Sequence, residues 1–428
     1  LATPVETAGR VLSLLGGGSF YVAVGRSLLR IAAGFFAGAG AALLLASGSR
    51  RFPLMEEILS PLMTLTKAVP VASFVVLLLI WWGAESLSVV ICFLVVLPNI
   101  YINTLEGLKS TDSGMLEMAR VFRVRAWNRF FYIYRPALKP FLYSGMKLSL
   151  GMCWKSGIAA EVIGVPGGSI GEGLYLAKVY LDTAGVLGWT VMVILLSVLF
   201  EKAVLGLLER FFAWEPRCGT GSNTERAEPP EHGAPIRLAE VTKSYDGRAV
   251  IDRLSAVYEP GRIYYLTSPS GSGKTTLLHI LARLTMPDSG QVTAPPRCGM
   301  AFQEDRLCDD YSAVRNVELV TGDRAAAERA LGLLLEREAL HKPCRQLSGG
   351  ERRRVALVRA MEAGSDYLLL DEPFTGMYAQ TRDRAKAYIR ERQAGRTVVI
   401  ADHFSKFLVV FSFTFCYNLL MTVSASAG

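Results

Sequence analysis

The sequence has few of the residues that build metal centres or disulfide frameworks. Its 428 residues include only four histidines, and its seven cysteines are scattered without the spacing of metal ligands. We therefore expect the cysteines to be reduced and to serve in packing. Lys and Arg outnumber Asp and Glu by 46 to 38, but they form no single basic tract, which argues against a nucleic-acid partner. The start of the chain also lacks a signal-peptide pattern.

Apolar residues are abundant and unevenly distributed. They make up 51% of the chain, and the mean hydropathy of +0.31 is too high for an ordinary soluble enzyme. Residues 1–212 carry the excess, whereas residues 236–403 have the composition of a soluble α/β domain. Between them, Glu215–Pro235 is rich in proline, glycine and charge, which predicts a flexible tether.

Five segments of the first half predict membrane spans. Four are long and apolar, and a fifth contains Lys147, Lys155 and Glu161. In order, the five are Ile31–Ala46, Ala68–Ala84, Ser86–Leu105, Phe141–Ile163 and Thr183–Phe200. Ionisable residues within a span are candidates for a transport pathway; alternatively, Lys155 and Glu161 lie near helix ends or face an aqueous interface between subunits.

The distribution of charge between these segments predicts their orientation. Residues 107–140 contain seven Lys or Arg and two acidic residues, whereas residues 165–185 contain one lysine and two acidic residues. The positive-inside rule places the first loop in the cytoplasm and the second outside. Five spans would then begin outside and end inside, so we expect a sixth helix upstream of Leu1.

A glycine-rich loop follows in the second half. Ser268–Thr276 (SPSGSGKTT) lies between the strand-like Ile263–Thr267 and the helical Leu277–Leu284. Backbone N–H groups of such a loop surround phosphate oxygens, its lysine reaches the β- and γ-phosphates, and the following threonine reaches Mg²⁺. The predicted nucleotide-binding residues are Ser270, Gly271, Ser272, Gly273, Lys274, Thr275 and Thr276. Ser268 stands where the motif has its first glycine.

Two carboxylates follow a buried strand near residue 370. The run Tyr367–Asp371 is apolar up to its last residue, and Glu372 comes next. Asp371 at a strand end can hold Mg²⁺ through water, and Glu372 can polarise an attacking water as general base. Together with the phosphate loop, these residues predict a site that hydrolyses a nucleoside triphosphate with Mg²⁺; the resemblance described next implies that the nucleotide is ATP.

The order of further motifs resembles that of ABC ATPases. Leu347–Glu351 (LSGGE) is similar to the ABC signature, and its Ser348 lies 23 residues before Asp371, a combination peculiar to ABC proteins. This resemblance implies an α/β P-loop NTPase in which Ser348, Gly349 and Gly350 contact ATP held by a second copy. It also implies three further roles: adenine stacking by Tyr245, contact with Mg²⁺ and the attacking water by Gln303, and contact with the γ-phosphate by His403.

The cytoplasmic loop has a resemblance of its own. Glu117–Arg120 (EMAR) and Ile133–Pro136 (IYRP) are similar to the EAA loop of binding-protein-dependent ABC importer permeases. In that family a short helix of the loop docks on the ATPase, which implies a coupling role for Glu117, Ala119, Arg120 and Arg123. Those permeases usually have glycine where Arg123 stands. An amphipathic basic loop lying on anionic lipid is the alternative interpretation.

Two departures bear on activity. Tyr378 replaces the aspartate that usually ends the D-loop, and with Ser268 it raises the question of slowed hydrolysis. Because Lys274, Asp371, Glu372 and His403 are retained, we predict a working ATPase. The tail, Phe407–Gly428, has no charge; a frame-shifted or truncated end explains it better than an additional span so close to the ATPase.

These observations predict a multi-domain chain. Residues 1–212 would form an all-α transmembrane permease bundle of the type I ABC importer kind, and 213–235 a linker. Residues 236–406 would form the ABC ATPase domain, and 407–428 an atypical tail. The chain would work as a homodimer in the bacterial cytoplasmic membrane, with the ATPase domain in the cytoplasm.

The resemblance also implies a function. The chain would drive uptake of a small solute, either a sulfonate-, taurine- or nitrate-like anion or a pyrimidine-type precursor, delivered by an external solute-binding protein. Two alternatives stay open: an ABC exporter half-transporter, and a degenerate ATPase that acts as a scaffold.

Overall fold

The structure of the chain is a computed structural model that describes residues 2–68, 71–215, 233–267, 269, 271–402 and 422–425, with 71–74 and 422–425 described by their backbone alone. The described residues fall into two compact units. One comprises Leu1–Thr111 and Tyr134–Glu215, and the other comprises Asp112–Ile133 and Pro216–Gly428. The sequence predicted one continuous domain over 1–212. Residues 112–133 depart from it because Met118, Phe131 and Tyr132 are buried in a core cluster of the second unit.

The described part of residues 2–215 consists of helices joined by short non-helical segments. A π-helical turn, Phe130–Tyr134, lies between the sixth and seventh helices. In chain order the helices are α1 (Pro4–Leu15), α2 (Gly18–Arg51), α3 (Pro53–Ala68), α4 (Val71–Lys109), α5 (Ser113–Val121), α6 (Ala126–Arg129), α7 (Arg135–Gly164), α8 (Ile170–Val179) and α9 (Thr183–Ala213). Side-chain caps begin several of them: Thr3 for α1, Ser169 for α8 and Asp182 for α9.

Small residues let the helices of the first unit approach closely. A Cβ atom at Gly34 of α2 would lie 2.5 Å from the carbonyl oxygen of Val89 in α4, and one at Gly38 would lie 3.1 Å from that of Phe93. Close backbone approach through small residues is typical of helices packed in membranes. The residues around this contact, among them Ile31, Phe35 and Cys92, form one buried cluster.

Three helices among the described residues are long and apolar enough to cross a membrane. They are Gly18–Arg51, Val75–Lys109 and Thr183–Ala213. They contain the predicted segments Ile31–Ala46, Ser86–Leu105 and Thr183–Phe200, together with residues 75–84 of the predicted segment Ala68–Ala84. The fifth, Phe141–Ile163, lies in α7, which does not belong to this group. The count of five spans and the orientation stay predictions.

Helix α4 is interrupted at one residue. Gly83 has φ 72° and ψ 173°, so two helical segments meet there. Val75 and Leu78 before the break share a buried cluster with Leu87 and Ile91 after it. The interruption lies two residues before Glu85, where the sequence indicated the end of one apolar segment. Glycine adopts this backbone conformation without the clash that a Cβ atom would cause.

The second unit contains two β-sheets. An antiparallel sheet has the order β2–β1–β4, and a second sheet has the order β5–β6–β7–β3–β8. In the second sheet β5, β6, β7 and β3 are parallel, and β8 pairs with β3 in the antiparallel direction. The strands are β1 (Ile236–Tyr245), β2 (Arg248–Tyr258), β3 (Ile263–Thr267), β4 (Ser289–Thr293), β5 (Cys298–Ala301), β6 (Tyr367–Asp371), β7 (Thr397–Ala401) and β8 (Thr422–Ala425).

Helices cover the parallel strands on both faces. They are α10 (Lys274–Leu281), α11 (Ala313–Thr321), α12 (Arg324–Leu331), α13 (Arg337–Leu340), α14 (Gly349–Glu362) and α15 (Ala379–Arg392). Successive residues of β6 alternate between the two cores: Leu368 and Leu370 belong to one cluster, Tyr367 and Leu369 to the other. Burial on both faces explains the unbroken apolar run of this strand, which the sequence predicted.

The all-α bundle and the α/β unit expected from the sequence are both present. The five described cysteines are buried and unbridged. Most of the predicted linker (216–232) lies outside the described residues, as do Cys218 and Cys416. Of the predicted tail, 422–425 is described and forms the edge strand β8, while the rest lies outside the described residues.

Candidate nucleotide-binding and coupling site

The loop between β3 and α10 has the backbone that a phosphate cradle needs. Gly271 and Gly273 have φ values of 80° and 88°, in the left-handed region that favours glycine. A Cβ atom at Gly273 would lie 2.8 Å from Cγ1 of Val250, so the position excludes a side chain on steric grounds too. Lys274 begins α10 and is buried, and its Nζ donates to the carbonyl oxygen of Pro269 at 3.1 Å. Ser268 and Ser270 lie outside the described residues.

Asp371 and Thr275 meet at the end of β6. The Asp371 carboxylate hydrogen-bonds the Thr275 side chain, and burial raises the pKa of this carboxyl group above its usual value. The Thr275 hydrogen bond and the charge of Arg353 oppose that shift, while the charge of Glu372 adds to it. The sequence predicted both residues as Mg²⁺ ligands, and the fold brings them together.

The donor set at this point fits Mg²⁺. Asp371 is only 2% exposed, and among the described residues its Oδ2 atom has no hydrogen-bond partner. A buried carboxylate oxygen without a partner is costly unless a cation or water satisfies it. The carboxylate of Asp371, the hydroxyl of Thr275 and the exposed amide of Gln303 are oxygen donors, which Mg²⁺ prefers.

Glu372 has a strained backbone. Its φ of 47° lies in the left-handed region, which is uncommon for a residue with a side chain. Its N–H donates to the carbonyl oxygen of Ala401 at 2.8 Å, and the Thr375 hydroxyl donates to its Oε2 at 3.3 Å. Strain of this kind concentrates at functional sites, where the surrounding structure holds it in place. The predicted general base is therefore held by its main chain.

Arg353 of α14 helps to fix the main chain at Glu372. Its side chain is 4% exposed and donates to the carbonyl oxygens of Asp371 and Glu372, the latter at 2.9 and 3.1 Å. It also donates to the carbonyl oxygens of Phe302 and Gln303, the latter at 3.2 Å. One buried guanidinium thus joins the end of β6 to the segment that carries Gln303. The sequence analysis did not single out this residue.

The signature residues begin α14. Ser348 is the N-cap: its Oγ accepts from the Glu351 N–H at 3.4 Å, and the Glu351 carboxylate accepts from the Ser348 N–H at 2.8 Å. The Ser348 hydroxyl bond is the main cause that lowers the pKa of Glu351. Nothing lies within 4 Å of a Cβ atom placed on Gly349, whereas one on Gly350 would lie 2.9 Å from the carbonyl oxygen of Gly376. Ser348 and Gly349 are therefore accessible at a helix N-terminus.

Three other residues singled out from the sequence have no hydrogen bond that fixes their side chains among the contacts described above. Tyr245 ends β1 and is 48% exposed, with Lys243 Nζ 5.4 Å from its ring centre. Thr276 lies in the first turn of α10 beside Thr275. Tyr378 is 87% exposed and is the N-cap of α15 without a side-chain cap bond. His403 lies outside the described residues. The roles given to these residues stay predictions.

Helix α5 contacts the segment that follows β5. Glu117 Oε2 lies 2.8 Å from Arg306 Nη1, and the guanidinium carbon of Arg306 lies 4.0 Å from the ring centre of Phe302. Ala119 is buried on the same helix, and Arg120 is exposed. Of the predicted coupling residues, Glu117 therefore contacts the segment 302–306, which also carries Gln303.

Arg123 occupies the position where the permease motif has glycine. Its φ of 50° is left-handed, which explains why glycine suits this point of the loop. Its guanidinium donates to the carbonyl oxygen of Pro296 at 2.7 Å. The side chain thus anchors the turn in a conformation that its own Cβ atom disfavours.

Further aromatic and cationic contacts fix this loop. The Tyr311 hydroxyl donates to the carbonyl oxygen of Phe131 at 3.2 Å, and the rings of Tyr311 and Tyr132 are 4.6 Å apart. Arg359 of α14 is fully buried and lies 5.4 Å from the ring centre of Phe122. Arg359 also donates to the carbonyl oxygens of Asp305 and Arg306, at 2.9 and 2.7 Å.

Comparison with known proteins matches both halves of the chain. The family model of the inner-membrane component of binding-protein-dependent transport systems matches residues 34–211, and that of ABC transporters matches residues 251–375. An aliphatic sulfonates import ATP-binding protein of Granulibacter bethesdensis is 37% identical over 169 residues, which cover 39% of this chain and 71% of that protein. The chain belongs to the ABC transporter family.

Two other relatives of this ABC transporter differ in the direction of transport that their names state. An aliphatic sulfonates import ATP-binding protein of Streptomyces avermitilis is 41% identical over 173 residues, covering 39% of this chain and 66% of that protein. A Nod factor export ATP-binding protein of Burkholderia pseudomallei is 36% identical over 192 residues, covering 40% and 63%. The chain thus spans about two thirds of the length of these relatives.

The resemblance drawn from the motifs is confirmed: this ABC transporter chain carries a permease domain and an ATPase domain. Two features of the site were missed. Arg353 lies in a run of three arginines, and only helical geometry makes the middle one buried. Arg306, the partner of Glu117, is 189 residues away in the chain. The helical periodicity of apolar residues in α14 could have indicated that Arg353 is buried. No local feature of the sequence indicated Arg306.

Proposed function

We propose that this ABC transporter chain is one half of an ATP-driven importer. Two copies would form the working unit in the cytoplasmic membrane, with the ATPase domains in the cytoplasm and an external solute-binding protein delivering the solute. The solute would be a sulfonate-, taurine- or nitrate-like anion or a pyrimidine-type precursor. The names of the sulfonate relatives and the permease match support import.

The observation that carries the proposal is the contact between Glu117 and Arg306. It attaches the loop between two helices of the permease to the segment that holds Gln303, beside the nucleotide site. A movement of that segment on ATP binding would reach the permease through α5. Packed and hydrogen-bonded residues carry energetic coupling of this kind, and the ion pair between Glu117 and Arg306 is one such contact.

The residues of the ATP site have complementary tasks in this proposal. Lys274 and the N–H groups of the loop would bind the β- and γ-phosphates, and Asp371, Thr275 and Gln303 would hold Mg²⁺. Mg²⁺, when bound, neutralises charge on the phosphate oxygens. Glu372 would accept a proton from the water that attacks the γ-phosphorus, as the bond to the bridging oxygen breaks to give ADP and phosphate.

Vesicle transport tests both the activity and its direction. The full chain is reconstituted with ATP confined to the lumen, so that only copies with a luminal ATPase domain are energised. Labelled ethanesulfonate is added outside, with a sulfonate-binding protein as the external solute-binding protein. We expect ATP-dependent accumulation, and none in Glu372→Gln vesicles.

A second set of vesicles addresses the exporter alternative. These vesicles are preloaded with labelled ethanesulfonate and again hold ATP in the lumen. An importer moves solute towards the side of its ATPase domain and retains the label. ATP-dependent release of the label would favour the export function named for the Burkholderia relative, and would contradict the proposal.

A further inference from the structure

Helix α7 presents an exposed face with two lysines deep within its length. Lys147 and Lys155 are both exposed, and α7 extends from Arg135 to Gly164. At 1.5 Å per residue the helix is about 45 Å long, and the lysines lie about 4 Å and 8 Å from its middle. The hydrocarbon core of a bilayer is about 30 Å thick, so both positions fall within it if α7 spans the membrane.

The exposed face of α7 is divided into two halves. At about 100° per residue, Ser144, Lys147, Gly151 and Lys155 lie within an arc of about 80°. Leu148, Met152 and Ile163 are exposed on the neighbouring arc. The apolar half is suited to lipid or to another helix, whereas the half with two charges is not.

The one acidic residue of α7 does not neutralise these lysines. Glu161 is 1% exposed, accepts a hydrogen bond from the Ser27 hydroxyl at 2.6 Å, and lies 3.6 Å from the Arg30 guanidinium. The Gly171 N–H also donates to it, at 3.3 Å. Glu161 therefore joins α2, α7 and α8 inside the bundle. Lys155 and Glu161 were the two pathway candidates from the sequence. Of these, Glu161 has a structural role in holding the helices together.

The lysines keep an uncompensated positive charge. Within the part of the chain that the structure describes, neither Lys147 nor Lys155 forms an ion pair with a carboxylate. A charged side chain at this depth is tolerated where it faces water or a polar partner, and it costs several kcal/mol where it faces lipid. The polar half of the face therefore needs an aqueous surrounding.

We propose that Ser144, Lys147, Gly151 and Lys155 line a water-filled solute pathway and that their charge selects a small anion, such as a sulfonate. This inference rests on the proposed function and narrows it, because an electropositive lining favours anions over a cationic or neutral pyrimidine-type precursor. The two lysines, about 12 Å apart along the helix, would attract the anion in turn as it passes.

Charged thiol reagents test the lining without knowledge of the natural solute. Lys147→Cys is made in the full chain, reconstituted in vesicles and treated with the anionic 2-sulfonatoethyl methanethiosulfonate or the cationic 2-(trimethylammonio)ethyl methanethiosulfonate. The unsubstituted chain gives the background of its own cysteines. Leu195→Cys, an exposed apolar position of α9, is the matched control. We expect Cys at 147 to react with both reagents, faster with the anionic one, and the control to stay unreactive.

Removal of the second lysine isolates the effect of charge. Adding Lys155→Gln to the Lys147→Cys chain should slow the anionic reagent and accelerate the cationic one, each by about two- to tenfold for a charge about 12 Å away. A cysteine at 147 that is as unreactive as the one at 195 would overturn the inference, and so would equal rates with and without Lys155.

The proposed function fails separately. If the unsubstituted chain hydrolyses ATP in the same vesicles but position 147 faces lipid, this inference falls and the proposed function stands. If position 147 is aqueous and sensitive to charge but the chain does not hydrolyse ATP, the lining stands and the proposed function falls.

Discussion

Arg306 and Glu117 are 189 residues apart in the chain and form an ion pair of 2.8 Å. Arg306 is held on its other side by the ring of Phe302, and its side chain is 12% exposed against 35% for Glu117. The pair links helix α5 to the segment 302–306 at a point three residues from Gln303. We assign this pair a role in transmitting movement, because a partly exposed ion pair contributes only about 1 kcal/mol to stability.

Reversal of this pair should separate hydrolysis from transport. In Glu117→Arg the like charges repel, and we expect solute transport to fall by roughly five- to thirtyfold, as about 1–2 kcal/mol of interaction is lost. Basal ATP hydrolysis should change by less than about twofold, since Glu117 is not among the residues assigned to ATP, Mg²⁺ or the attacking water. Adding Arg306→Glu restores opposite charges and should recover most of the transport. Failure of the double variant to recover would show that the contact is incidental.

Arg353 should act as a positioning residue for hydrolysis. Replacing it with lysine keeps the charge but loses the planar set of donors that holds four carbonyl oxygens. We expect kcat for ATP hydrolysis to fall by about ten- to a hundredfold while KM for ATP changes by less than about threefold. Arg354→Lys on the same helix is the control and should retain activity. A parallel rise in KM, or an equal loss in the control, would indicate general disruption instead.

Arg123 offers a test of backbone strain in the coupling loop. Arg123→Gly loses the bond to Pro296 but relieves the left-handed strain, so the melting temperature should stay close to that of the parent chain. Arg123→Ala loses the bond and keeps the strain, and should be less stable by about 1–2 kcal/mol. Thermal unfolding of the two variants in the same lipid nanodiscs measures the difference. If alanine is tolerated as well as glycine, the backbone at this position is not strained.

Asp371 should make the nucleotide-free chain less stable at neutral pH. Because burial raises the pKa of its carboxyl group, the folded state binds that proton more tightly than the unfolded state does. The resulting stability is complete below the ordinary Asp pKa and is lost as pH rises through the raised value. Asp371→Asn removes this dependence and should raise the melting temperature at pH 7–8 relative to the parent.

The pH dependence of the difference in melting temperature is the control for this prediction. The advantage of Asp371→Asn should shrink as the pH is lowered towards the ordinary range of carboxyl groups, where the parent is protonated as well. The variant should also lose Mg²⁺-dependent hydrolysis. An advantage that does not change with pH would mean that the substitution acts through packing instead of charge.

The sequence was sufficient to predict those features that depend on residues close together in the chain. Gly271 and Gly273 are needed for their backbone conformation, and the apolar run of β6 follows from burial on both faces, so pattern alone was sufficient. Arg353 was missed because three adjacent arginines look alike until the helix buries the middle one. The partner of Glu117 depends on packing between distant segments. Residues 112–133 were counted with the permease domain 1–212, although the resemblance to the EAA loop implied that their short helix docks on the ATPase.

The most direct test of the account is ATP turnover by the full chain in lipid nanodiscs. The parent chain is compared with Glu372→Gln, which keeps the shape of the side chain but removes the base. The account predicts turnover by the parent and a loss of about a hundredfold or more in the variant. Equal rates in the two chains would contradict it and would favour a degenerate ATPase that serves as a scaffold.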